Sequence, residues 1–209
     1  MSGYTFFLDR LFATVQSGNV IQMGFWLFGN DGDGNSTKWV HAAVAVLAFG
    51  LGAMLTVIIE QVAGTFGTDY SWPILFAEAI VLVVLGFTVV NQHFAPWVMC
   101  AFISFLAGMQ GNAFHKINGM LYGNVAVTLV VQLAFSYLMQ GIFRKPEVNL
   151  RISGGFFLVL LGFAGGGFIG AVLTKEFDHR ALWFAAGLAV MLAVMGMNAE
   201  RHHEPADPT

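Results

Sequence analysis

Charged side chains are scarce in this chain: Asp, Glu, Lys and Arg make up 10% of it, against 57% apolar residues. A water-soluble surface cannot be assembled from that remainder, which excludes an ordinary soluble globular domain. The basic residues form no stripe and the net charge is -3, so nucleic acid is excluded as a partner. Cysteine is nearly absent. Cys100 stands alone inside an apolar run, which rules out an intrachain disulfide and a Cys-rich metal site. No GxSxG, HExxH or phosphate-binding loop occurs, and no two histidines stand at ligand spacing within an apolar stretch. The sequence therefore offers no catalytic residue, no metal ligand and no cofactor.

What fills the chain is apolar sequence, in seven stretches at about 11–28, 40–63, 73–91, 95–115, 121–143, 153–174 and 180–198. A hydrocarbon core of ~30 Å is crossed by roughly 20 helical residues. The expected fold is all-α: a polytopic transmembrane helix bundle of about seven spans, multi-pass and in contact with membrane lipid. It forms one domain, residues 1–198, followed by a polar, disordered tail at 199–209. MSGYTFFLDR lacks the basic start of a signal peptide, so the first span is expected to stay. The basic loop FRKPEVNLR, with Arg144, Lys145 and Arg151, points to the cytoplasm. Counting seven spans from it places Lys38 on the same side.

An internal echo divides the domain into halves of about 3–91 and 95–198. VQSGNVIQMGF is answered by MLYGNVAVTLV, so that Gly18-Asn19 matches Gly123-Asn124. Gly52-Ala53 matches Gly170-Ala171, and LFAEAI matches WFAAGL. Residues 95–115 are left over. Four spans per unit imply parallel repeats, and three effective spans imply inverted ones. Gly162, Gly166 and Gly170 fall on one helix face, where another backbone can approach closely and an oligomer can form.

Chemistry in such a chain falls to polar groups that lipid does not tolerate. Glu78 follows Trp72 by six residues, ~9 Å along a helix. It reads either as a proton- or cation-coupled carboxylate facing a cavity, or as a protonated acid bonding a neighbouring helix. Its counterpart in the other half is Ala186. Gln16, Ser17 and Asn19 open one helix and Asn124 opens the matching one. Helix openings present free N–H groups to an anion, and two of them can meet near the membrane midplane. The alternative is that these residues cap or pack their own helices. Gln110 and Asn112 either line the same region or form the wet end of their span. His41 reads as interfacial. The run Asp31-Gly-Asp33-Gly-Asn35 is a solvated turn, because Ser36 and Ala42 stand where a calcium loop has Gly and Glu.

Several of these motifs occur together in one known family. The segments GYTFFLDRLFATVQSGNVIQMG, HAAVAVLAFGLGA, FAEAI and FLAGMQGNAFHKINGMLYGN, in that order, resemble the YoaK-like membrane proteins, a bacterial domain of unknown function. Phe12, Ala13, Gln16, Gly18 and Asn19 match that family's run, with Ser17 in place of threonine. Gly108, Gln110, Asn112 and Ala113 match its second signature with Gly111 intervening. The resemblance covers roughly 3–198 and implies a multi-pass protein of the bacterial inner membrane; it implies no activity. Two functions stand open. One is a small-solute or ion transporter or channel with a site at Gln16, Ser17, Asn19, Glu78, Gln110, Asn112 and Asn124. The other is a non-transporting membrane subunit that binds a partner protein or lipid.

Overall fold

The computed structural model describes residues 1–28, 37–66, 71–114, 116–117, 120–121, 127–144 and 146–201. The helices are α1 (Ser2–Asp9), α2 (Gln16–Phe28), α3 (Lys38–Phe66), α4 (Ser71–Leu85) and α5 (Thr88–His93), then α6 (Pro96–Ala113), α7 (Val127–Phe143), α8 (Pro146–Phe177) and α9 (Ala181–Arg201). A 3-10 turn, Asp178–Arg180, joins the last two. Among the described residues the fold is all-helical but for two strands of two residues each, β1 (Lys116–Ile117) paired antiparallel with β2 (Met120–Leu121) in the register Lys116↔Leu121.

Local sequence sets several boundaries. Pro96 opens α6 and Pro146 opens α8, where a missing N–H costs nothing. Glu147 in the first turn of α8 and Lys175 in its last suit the helix dipole. Two boundaries depart from expectation. The apolar stretch 73–91 is cut at Gly86, because the Trp183 indole donates to the Val83 carbonyl at 3.1 Å and lies where a Gly86 side chain would stand. The stretch 11–28 is not one helix either. Arg10 adopts a left-handed conformation, φ 57°, that stops α1, and helix resumes only at Gln16. Asp178 in the 3-10 turn is the other described non-glycine residue with a positive φ, 52°.

Helix directions follow from who touches whom. His41 stacks on Trp97, Ala42 meets Cys100, and Asn112 reaches the Ala53 carbonyl, so α3 and α6 run parallel. Gly52 and Gly108 allow the crossing. A Cβ on either would collide with the Phe105 or Phe49 carbonyl oxygen. Trp72 meets Gly196 while Gly86 meets Trp183, so α4 and α9 are antiparallel. Ser153 bonds Ala134 and Leu150 packs on Gly141, so α7 and α8 are antiparallel too.

One consequence contradicts the simple count of spans. Thr88 bonds His179, which places the end of α8 beside α5 and therefore beside the starts of α3 and α6. The start of α8, with Arg151, thus lies at the opposite end from Lys38, not on the same side. It follows that α6 and α7 run in the same direction. At 1.5 Å per residue, Val127 stands roughly level with the middle of α8. By the same measure Gln16 stands roughly level with the middle of α3, since Met23 and Trp26 pack with Ala42.

The core is thin and central: Tyr4, Ala13, Ala79, Leu82, Met99, Ile103, Leu182, Ala186 and Ala189. Outside it the apolar faces point outward, with Leu158 70% and Phe168 71% exposed. Two helical stretches, Lys38–Thr65 and Glu147–Asn198, are long and apolar enough to cross a membrane, the second passing through the 3-10 turn. Ser71–Leu85 and Val127–Phe143 are shorter apolar helices. None of the most apolar window of the longer stretch is buried, so its side chains do not form a water-excluded interior of their own.

Candidate functional site

The most unusual feature is a stretch of non-helical chain in the middle of the bundle. Residues 11–15 lie between α1 and α2, with Leu11 1% and Ala13 0% exposed. Such backbone survives in an apolar interior only if its N–H and C=O groups are satisfied. Side chains satisfy five of them here. The Thr5 hydroxyl accepts from the Ala13 N–H at 3.2 Å, and the Ser2 hydroxyl accepts from the Thr14 N–H at 3.1 Å. Ser2 and Thr14 also share a hydroxyl bond of 2.7 Å. Because Thr5 pairs with Ala13 and Ser2 with Thr14, the chain folds back antiparallel along α1.

Asn19 closes the other side. Its Oδ1 accepts from the Phe12 N–H at 2.9 Å, while its Nδ2 donates to the Phe12 carbonyl at 2.7 Å and to Gln16 Oε1 at 2.8 Å. Gln16 Nε2 donates to the Ala13 carbonyl at 2.8 Å. Asn19 is wholly buried and its amide is fully engaged. Asn19 and Gln16 thus open α2 as the sequence reading expected, but they are spent on their own chain. Gly18 completes the turn, since a Cβ there would press on the Phe12 ring at 3.0 Å. Ser17 is exposed.

Glu78 is different. It lies on the inward face of α4 with Ile74, Leu75, Ala79, Leu82 and Leu85, and is 2% exposed. That helix packs against α9 and α6, and Ala79 and Leu82 share the core with Ala13 of the interrupted segment. Its Oε2 has no hydrogen-bond partner among the described residues. An ionised carboxylate so placed needs a counter-charge, and the Met1 ammonium is the positive group that acts on it; a neutral one needs a proton. The residue can therefore hold a proton or a cation.

The remaining expected residues stand apart. Asn112 donates to the Ala53 carbonyl at 3.3 Å and fastens α6 to α3. Gln110 is half-buried on the same turn. Asn124 lies outside the described residues, as do the 29–36 loop and residues 202–209 of the tail. Among the described residues no three His, Cys, Asp or Glu side chains gather as a metal would need.

Sequence reasoning missed three polar contacts at one end of the bundle. His41 Nδ1 lies 3.0 Å from Asp9 Oδ2, joining α1 to α3 over the Trp97 ring. Asn91 Nδ2 donates to the Tyr4 hydroxyl, joining α5 to α1. Thr88 and His179 lie 2.7 Å apart, joining α5 to the 3-10 turn. His41 stood out in the sequence without a partner, and nothing local pointed to Asp9. The Ser2 and Thr5 spacing, one polar face of a short helix, was the available sign that α1 serves the interrupted segment.

A family model described as a protein of unknown function (DUF1275) matches residues 1–195. No curated protein matches. No solved structure matches.

Proposed function

The chain belongs to the DUF1275 family, and we propose that it is a multi-pass membrane protein that carries a small polar solute or ion through the centre of its bundle. The YoaK-like naming and the reading of about seven apolar passes belong to the same proposal. The observation that carries it is the interrupted segment 11–15, whose Ala13 is buried in the core that α4 lines, together with Glu78 of α4, whose Oε2 has no hydrogen-bond partner among the described residues. Carriers place broken helices and intramembrane carboxylates at the site of transport, because unwound backbone and a titratable group can exchange ligands where a continuous apolar helix cannot.

We read the two halves as an inverted repeat, and this belongs to the same proposal. Gly52-Ala53-Met54-Leu55-Thr56 on α3 is echoed by Gly170-Ala171-Val172-Leu173-Thr174 on α8. Both threonines donate back to the glycine carbonyl four residues earlier, at 3.2 and 2.7 Å. Gly52 crosses α6 near Gly108, and Gly170 meets α1 at Gly3, where a Cβ would lie 3.0 Å from the Ala171 nitrogen. The contacts α3 with α6 and α3 with α2 thus correspond to α8 with α1 and α8 with α7, while α4 and α9 pair across the centre. Corresponding helices run oppositely, which favours inverted over parallel repeats. Two halves of opposite orientation around one site are the geometry that alternating access uses.

A thermal-stability screen of the detergent-purified protein against amino acids, carboxylates, sugars and monovalent cations, at acid and neutral pH, tests this. A ligand that binds only the folded chain adds about 2.7 kcal/mol at 100 times its Kd. The expected result is a stabilising ligand whose effect depends on pH in the native chain and loses that dependence in Glu78→Gln. A Glu78→Gln protein that keeps the full pH-dependent response would remove Glu78 from the site.

A further inference from the structure

The eight residues of α1 run from the core to one end of the bundle. At the start, Met1 packs with the core that holds Ala79 and Leu82, and its ammonium acts on Glu78. At the other end Asp9 meets His41, in the first turns of α3. A rise of 1.5 Å per residue gives α1 a length of about 12 Å between these two points. Tyr4 fills the space between them, in one cluster with Leu82 and Leu85. The helix thus lies along the line by which water or a solute at that end would reach Glu78.

Its two ends are held differently. Near the start, Gly3 lies backbone to backbone against Gly170 and Ala171 of α8, with no room for a side chain. Towards the Asp9 end the fastenings are side-chain bonds, His41 Nδ1 to Asp9 Oδ2 at 3.0 Å and Asn91 Nδ2 to the Tyr4 hydroxyl. The His41 and Asp9 side chains are 23% and 21% exposed, so water can serve both when they part. Because water replaces what is lost, removing such a bond shifts an equilibrium only about fivefold. Past Asp9 the backbone turns at the left-handed Arg10 and runs non-helical to Val15. The bonds of Thr5 to Ala13 and of Ser2 to Thr14 make that run travel with α1.

We propose that α1 is a gate: it pivots at Gly3, and the parting of Asp9 from His41 and of Tyr4 from Asn91 opens Glu78 to that end of the bundle. This rests on the reading of Glu78 as part of the transport site, but its test needs no substrate. In a Cys100→Ser background, which keeps a donor for the Thr5 carbonyl, Ala79→Cys reports on the core beside Glu78. Ala134→Cys, likewise buried but on α7, is the control. Both are reacted in mild detergent with a small water-soluble methanethiosulfonate. His41→Phe keeps a ring on Trp97 and Tyr4→Phe keeps the core filled, and each removes one bond. Each should speed the labelling of Ala79→Cys about fivefold, and the two together about twenty-five-fold, while Ala134→Cys keeps its rate. An unchanged Ala79→Cys rate in either variant, or a rise shared by Ala134→Cys, would overturn the gate. Should the double variant fail to fold, the single ones decide. Faster labelling of Ala79→Cys alone, in a protein that no solute stabilises, would uphold the gate and count against transport.

Discussion

Replacing Asn19 with alanine removes three hydrogen bonds at once, two of them to the Phe12 backbone. Asn19 is wholly buried and Phe12 partly so, which leaves water little access to the groups it serves. The Phe12 N–H loses the acceptor that Asn19 supplied, and its carbonyl keeps a bond to Gln16 at 3.5 Å, too long to hold it. Each stranded group costs about 1–3 kcal/mol, so Asn19→Ala should lose about 2–6 kcal/mol of stability. Ser17→Ala, two residues away and exposed, should stay within about 0.5 kcal/mol of the native chain. Both are measured by unfolding in maltoside micelles titrated with dodecyl sulfate. Tryptophan fluorescence reports the transition, since Trp26 packs beside Leu11 of the interrupted segment. An Asn19→Ala protein as stable as Ser17→Ala would refute the idea that this amide holds the segment. If that stable variant also lost ligand binding, Asn19 would be a ligand residue rather than a cap.

Other consequences follow from the packing. Gly108→Val should be among the most damaging single changes, at about 3 kcal/mol or more in the same assay, because its side chain enters the Phe49 carbonyl; full stability would mean α3 and α6 are further apart. Thr56→Ala should cost about 1 kcal/mol and Thr174→Ala a few tenths, because Thr56 also reaches across to the Met109 carbonyl at 3.1 Å. Equal losses would leave the cross-helix bond without weight. Ser153→Ala, whose hydroxyl donates to the Ala134 carbonyl at 2.8 Å, should loosen α7 from α8 by about 1 kcal/mol. A loss below about 0.3 kcal/mol, within the scatter of surface changes, would speak against that bond.

Hydropathy alone located the stretches that become α3, α6, α8 and α9, because the transfer of each residue from water to an apolar medium is local and nearly additive. The opening of α2 at Gln16 was legible for a similar reason, since Gln, Ser, Gly and Asn mark a helix start by their own chemistry. The threonines four residues after Gly52 and Gly170 carried no signal in the sequence, and each bonds back to its glycine carbonyl.

What the tertiary structure decided is which groups meet. The stop at Arg10 and the half-buried run 11–15 depend on Ser2, Thr5 and Asn19, which must fold together before any of them satisfies the backbone. The partner of His41 is 32 residues away, and no pattern in either neighbourhood names it. The glycines on α8 look alike in sequence, yet Gly170 is used by Gly3 while Gly162 and Gly166 stay open. Helix direction is of the same kind. Apolar length says that a segment can cross, but only the contacts of α7 with α8, and of α8 with α5 through His179, set α6 and α7 running the same way. Composition determines the solvent a residue prefers; its partner depends on the geometry of the whole chain.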